Sequence, residues 1–326
     1  MAGAVDWESQ IGRRLKLRDL HVFGTVVQRG SMAKAAAHLK VSQPAVSEII
    51  SDLEHALGVR LLDRGPQGVE PTMYGRALLK GGTAAFDDLK QSIKEIEFMA
   101  DPTAGELRIG CPQSVAASIL PPVIERFCRQ YPRVVLHVQD VVSPTLELPD
   151  LRERRLDVVF DRLMKPLAKE DDDLNVEVLL DDDTVVAAGP QSRWAHLDKV
   201  DPADLVNEPW ILTPPDTWIY MIVAEAFRGR GLAIPKACLM TFSVHLRAKL
   251  VTTGPFISPF PKSFLHLNEH LPLKVLPIDL PARPWPIAVV TLKNRTLMPV
   301  AQRFIDQVRD FTRSLGAGSM PGKKPS

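Results

Sequence analysis

Ser31-Met32-Ala33-Lys34-Ala35-Ala36-Ala37-His38-Leu39-Lys40-Val41-Ser42-Gln43-Pro44-Ala45-Val46-Ser47 holds two short helical signals and the turn that joins them. Ser31 starts the first helix, and the alanine-rich run to Leu39 leaves Ala33, Ala36 and Ala37 small enough for another helix to cross close by. Lys40-Val41-Ser42 is a three-residue turn. Ser42 then caps a second helix with Pro44 in its first turn, where the missing N–H costs nothing, and Gly58 stops it after Leu57. Its apolar stripe is Val46, Ile49, Ile50, Leu53 and Leu57, which leaves Gln43, Ser47, Glu48, Ser51 and Asp52 outward.

Upstream, Leu17, Leu20, Phe23 and Val27 lie on one face of a further helix that ends at Arg29-Gly30. Downstream, Asp63-Arg64-Gly65-Pro66-Gln67-Gly68-Val69-Glu70 has the glycine and proline content of a hairpin tip, which reads as a wing. Thr72 caps a long helix whose Leu79, Gly82, Phe86, Leu89, Ile93 and Ile96 follow a 3-4-3-4-3 spacing. That period fits pairing with a second copy or docking on the helix's own domain. Asp101-Pro102-Thr103-Ala104-Gly105 is the expected boundary.

The charge is uneven. Residues 12–80 carry eleven Lys and Arg against six Asp and Glu, a net +5, whereas the whole chain is +1. One end is therefore suited to a polyanion. Cys111, Cys128 and Cys238 are too few and too scattered for a zinc set or a disulfide framework, so a reducing compartment is expected. Without a leader-like start or a run of about 18 apolar residues, a cytoplasmic protein with no membrane association is expected.

After Gly105 the pattern alternates: strand 107–109, helix 119–130, strand 134–138, helix 146–154 and strand 156–160, a βαβαβ unit with a parallel sheet. Alternation resumes with strands 176–180, 184–188 and 210–212, helix 218–228 and strand 237–241, as in a second α/β lobe, followed by strand 286–291 and helix 298–315. The expected organisation is a DNA-binding domain at 13–72, a linker and dimerisation helix with hinge at 73–104, lobe one at 105–181 and 278–316, lobe two at 182–277, and a flexible tail at 317–326.

A short turn before an outward, polar-tipped helix is what major-groove reading needs. Gln43 donates and accepts together, matching adenine; Ser42 and Ser47 reach bases or phosphates; Pro44 and Ala45 suit a thymine methyl; Arg64 in the hairpin suits the minor groove or a phosphate. Together with Leu53-Glu54-His55-Ala56-Leu57-Gly58-Val59-Arg60-Leu61-Leu62-Asp63-Arg64, Pro71-Thr72-Met73-Tyr74-Gly75, Leu107-Arg108-Ile109-Gly110, Leu120-Pro121, Tyr131-Pro132 and Leu156-Asp157, these residues closely resemble the LysR-type transcriptional regulators over nearly the whole chain. The resemblance implies an α+β multidomain protein: a winged helix-turn-helix, a dimerising linker helix, and a two-lobed effector domain like a periplasmic binding protein. It also implies promoter DNA as partner, homodimers that assemble into homotetramers, and contact with RNA polymerase. One departure is Glu48, followed by Asp52, where the family often carries a basic residue; acid there repels phosphate or accepts from cytosine, so the bases read are affected.

For a ligand, strand ends and the helix starts behind them favour anions. Ser114 follows the first strand and Ser143 the second, and the resemblance carries to both a role in lining the effector cleft. Arg162, two residues past the third strand, is placed to hold a carboxylate bidentately, and Thr213 with Pro214 offers the facing wall in lobe two. Each also fits a plainer role: a helix cap for the serines, a surface or lobe-interface cation for Arg162, a turn residue for Thr213. His137 and His245 read as structural, so no metal or resident cofactor is expected beyond a small effector, a carboxylate being one candidate. The chain lacks GxSxG, HExxH and Walker sequences and has Arg228-Gly229-Arg230-Gly231 behind a helix, so an enzyme is not expected; the helix-turn-helix argues against a secreted solute-binding protein.

Overall fold

The computed structural model describes residues 15–65, 68–101, 104–141, 147–163, 171–281 and 285–318. Contacts divide the chain into two compact units, Met1–Ile93 and Lys94–Ser326.

In the first unit, α1 (Leu17–Arg29), α2 (Met32–Leu39) and α3 (Gln43–Leu57) begin and end on local signals. Ser31 Oγ accepts from the Lys34 N–H and Ser42 Oγ from the Ala45 N–H, each satisfying a donor that the first helical turn leaves open. Gly30, Lys40 and Gly58 end the three helices in the left-handed conformation. The core joins Val22, Phe23 and Val26 of α1 to Ala35 and Ala36 of α2 and Val46, Ile50 and Leu53 of α3. Two expected faces are corrected here. In α1 the buried stripe centres on Val22, Phe23 and Val26, with Leu17 exposed, and in α2 the close-crossing alanines are Ala35 and Ala36, with Ala33 and Ala37 facing outward.

Strands β1 (Leu62–Gly65) and β2 (Gly68–Pro71) pair antiparallel as the wing. Its base is held by Glu54, whose Oε1 accepts from the N–H groups of Leu61 and Leu62 at 2.7 and 3.2 Å. Val69 donates to the Gly30 carbonyl, and Gly68, at φ 121°, passes so near that a Cβ would stand 2.5 Å from that oxygen. Thr72 caps α4 (Met73–Ala100), accepting from the Gly75 N–H at 3.1 Å. The heptad positions of α4 then split. Leu79, Gly82 and Phe86 pack toward their own domain, with Leu20 against Gly82 and His21 edge-on to Phe86, whereas Leu89, Ile93 and Ile96 are exposed.

The second unit holds two five-stranded sheets. In the first, β3 (Ala104–Cys111) lies parallel to β4 (Arg133–Asp140) and to β5 (Val158–Arg162), while β12 (Trp285–Leu292) runs antiparallel between β5 and β6 (Leu174–Asp182), giving the order β4-β3-β5-β12-β6. The sheet is thus mixed rather than wholly parallel. Helices α6 (Leu120–Gln130) and α11 (Pro299–Gly318) cover one face, where Phe127 and Phe160 meet Phe304. Behind β3 comes the single turn α5 (Gln113–Ala116), and before β5 the single turn α7 (Pro149–Arg152). The helix expected over 146–154 is therefore much shorter, bounded by Leu148 and Arg154 at positive φ. Strand β5 starts at Val158, just after Asp157, whose carboxylate pairs with Arg108 and Arg295.

In the second sheet, β7 (Thr184–Ala188), β8 (Trp210–Leu212), β9 (Ala237–Met240), β10 (Ile257–Pro261) and β11 (Lys274–Val275) take the order β11-β7-β10-β8-β9. Helix α8 (Trp218–Arg228) packs on one face through Val223 and Phe227; α9 (Val244–Thr253) and α10 (Lys262–His266) pack on the other through Ala248, Val251 and Phe264. The chain crosses between lobes at Asp182-Asp183 and returns between β11 and β12. Among the described residues no helix is long and apolar enough to cross a membrane, and no cluster of His, Cys, Asp or Glu is disposed to hold a metal.

Candidate functional sites

The first site is the tip of α3 with the wing. Ser42, Gln43 and Pro44 are exposed, Ala45 and Ser47 half-buried, and Arg64 stands exposed on β1. Ser42 spends its hydroxyl on capping the helix. The Gln43 side chain makes no hydrogen bond among the described residues, so its amide is available as donor and acceptor to a base edge. The stripe that buries Val46, Ile50 and Leu53 forces Gln43, Ser47 and Glu48 outward, and Glu48 is exposed. The first turn of α3 offers little open backbone, because Pro44 has no N–H and Ser42 takes those of Ala45 and Val46 through its hydroxyl and carbonyl, so recognition there falls to side chains. Glu54 was not foreseen as the wing's anchor; its position one turn before Leu57-Gly58 is the sequence signal for it.

The second site is a cleft between the two lobes, lined on one side by Gln113, Ser114, Asp161 and Arg162 and on the other by Thr213, Thr217, Trp218 and Arg247, with a volume of about 110 Å3. An apolar cavity of about 150 Å3 accommodates benzene, so this space suits a small molecule and not a chain. Ser114 lies in α5, half-buried, with its carbonyl accepting from the Ser118 hydroxyl. Ser143 lies outside the described residues. Arg162 is the last residue of β5 rather than two residues beyond a strand. It is buried, forms an ion pair with Asp182 at 2.7 Å, and lays its guanidinium over the Trp218 ring at 4.4 Å. Arg162 is thus not at the surface but buried in the wall between the lobes, with its charge balanced by Asp182. Asp182 also accepts from the Ser263 N–H and hydroxyl at 3.0 and 2.6 Å, so one carboxylate at the lobe crossover ties β5 to the start of α10. Thr213 is buried and shares a short hydrogen bond with Thr217, whose own hydroxyl caps α8.

Two buried charged groups of the cleft were not foreseen. Asp161 ends the apolar run Val158-Val159-Phe160 and is only 4% exposed; its Oδ1 accepts from the Arg162 N–H while Oδ2 has no hydrogen-bond partner. Burial pushes its carboxyl up to about 7, partly offset by the adjacent Arg162. Arg247, only 1% exposed, occupies a core position of α9 among Val244, Ala248 and Val251. Its guanidinium donates to the Pro259 carbonyl and to the Ser258 hydroxyl, leaving Nε without a partner. Burial lowers its pKa to about 10, which keeps it charged at neutral pH.

The family described as "LysR substrate binding domain" matches residues 100–313, and the one described as "Bacterial regulatory helix-turn-helix protein, lysR family" matches residues 17–76. The chain belongs to the LysR family of transcriptional regulators. A LysR-type relative, the HTH-type transcriptional regulator YdcI of Escherichia coli (strain K12), is 26% identical over 302 residues, 92% of this chain and 97% of the relative. The crystal structure of the PA01 protein of Pseudomonas aeruginosa is 26% identical, with a TM-score of 0.52, over 92% of this chain and 99% of that one. CbnR in complex with its target DNA is 22% identical, with a TM-score of 0.51 over 91% of this chain and the whole of that one, a likeness of fold. As a LysR-type regulator the chain pairs a helix-turn-helix DNA-binding domain with an effector-binding domain.

Proposed function

We propose that this LysR-type regulator acts in the cytoplasm, without catalysing a reaction, by reading promoter DNA with Gln43 and its neighbours on α3 and by sensing a small molecule held between the two lobes. The observation that carries the sensing half is the cleft itself, which draws polar side chains from both lobes onto one small volume. A molecule that contacts both walls binds one lobe angle better than another, and only such differential affinity shifts a conformational equilibrium. The Arg162–Asp182–Ser263 chain, running from the cleft wall to the lobe crossover, is the part of the fold best placed to register that angle. Ser114 and Thr213 belong to the sensing surface on this reading, and Ser143 joins them by family resemblance.

The exposed Leu89, Ile93 and Ile96 on α4 support pairing of two copies, which would set two reading heads on inverted half-sites. Assembly of dimers into tetramers and contact with RNA polymerase complete the reading. The DNA half is tested by titrating the natural promoter site with wild type and Gln43→Ala. A bidentate amide contact is worth about 1–3 kcal/mol of discrimination, so the variant should bind on the order of tenfold more weakly and lose preference at one base position. Equal affinity and preference would remove Gln43 as a base reader.

A further inference from the structure

Within the cleft, the charges of Arg162 and Asp182 cancel in a contact of 2.7 Å. What remains inside is one buried carboxyl group on the first lobe, Asp161, and one buried cation on the second, Arg247, each with a polar atom that has no hydrogen-bond partner. Neither forms an ion pair with a side chain among the described residues. A buried guanidinium without a counter-anion is costly, and so is a carboxylate oxygen without a donor. Asp216, the other acid of the lining, is exposed and stays solvated.

We propose that the cleft takes a small acid that also bears a hydrogen-bond donor, an amino or hydroxy acid, with its carboxylate on Arg247 and its donor on Asp161. This rests on the cleft being the effector site. The ligand supplies the anion that Arg247 lacks, in a charge-assisted hydrogen bond to a planar donor fork. Its ammonium or hydroxyl supplies the hydrogen-bond partner that Asp161 Oδ2 lacks. Trp218 and Phe242, both in the lining, leave room for a short apolar side chain. The same two residues give selectivity by exclusion: an acid without a donor leaves Asp161 unsatisfied, and an amine without a carboxylate leaves Arg247 so.

The test is calorimetric titration of the full chain, beside thermal shifts, with four compounds: butyrate, 2-hydroxybutyrate, 2-aminobutyrate and propylamine, which is 2-aminobutyrate without its carboxylate. The donor-bearing acids should bind the wild type on the order of tenfold or more tightly than butyrate, and propylamine should not bind measurably. Asp161→Asn, which keeps the shape and the acceptor for the Arg162 N–H, should weaken 2-aminobutyrate more than 2-hydroxybutyrate, and Arg247→Lys should weaken both. If butyrate matches the donor-bearing acids, or none of the four binds, the ligand class is wrong. Ser114→Phe, which fills the cleft, separates the two levels. Binding that survives it overturns the cleft assignment and this proposal together. Binding that it abolishes, while Asp161→Asn and Arg247→Lys keep the wild-type order of affinities, overturns the ligand class alone.

Discussion

Asp161 is the next-to-last residue of β5, a fully buried strand, and its stability contribution runs opposite to that of an ordinary carboxylate. The folded protein holds its proton up to about 7, whereas the unfolded chain releases it near the ordinary 3.8. Between those values the folded state binds more protons, so stability falls as pH rises through the window. Asp161→Asn removes the ionisation. The melting temperature of the variant minus that of the wild type should therefore grow from pH 5 to pH 8, read by scanning calorimetry; a difference that stays constant would mean Asp161 titrates normally. The cysteines give a second residue-level check. Cys111 is buried and its thiol is pushed up to about 12 by burial and by the acids Asp140 and Asp161, whereas Cys128 and Cys238 are exposed. A thiolate is the reactive species. An aromatic disulfide reagent at pH 8 should label two thiols in the native protein and three after unfolding, and rapid labelling of all three would contradict this burial.

At the scale of elements, the helices of the reading head were legible to the residue because their ends are local. Ser31, Ser42, Gly30 and Gly58 each act through bonds to residues within a few positions, so their chemistry is visible without the fold. The faces were less legible. Three spaced alanines on α2 satisfy a close helix crossing in more than one rotation, and the packing of α1 and α3 chose Ala35 and Ala36. Helix α4 shows the same limit: one heptad run serves two purposes, its first half docking on the reading head and its second half left exposed. Ile93→Asp should therefore shift the chain toward the monomer in sedimentation velocity, because a carboxylate in an apolar seam has no partner, while the melting of the first unit's core changes little. An unchanged association state would place the self-interaction elsewhere.

For the whole molecule, a DNA-reading unit ahead of two α/β lobes was readable from caps, period and charge, and the resemblance to the LysR family made those lobes an effector domain. The mixed order of the first sheet was not, because insertion of β12 between β5 and β6 joins segments more than a hundred residues apart. The cleft was half legible for a related reason. Ser114 and Thr213 stand at strand ends, where sequence position alone points to a ligand. Arg162 looked like a free cation because Asp182, its partner twenty residues away, is selected only by the lobe crossover. Arg247 hid among apolar residues whose periodicity reads as core.

On the proposed function, α3 reads DNA and the interlobe cleft controls how. The most direct measurement is nuclease footprinting of the regulated promoter, with and without a donor-bearing acid that activates or represses it, for wild type and Ser114→Phe. The wild type should protect two half-sites and change its protection pattern with the acid, while Ser114→Phe should protect the same sites and ignore it. A Ser114→Phe footprint that still answers the acid as the wild type does would mean that the effector acts from outside the interlobe cleft.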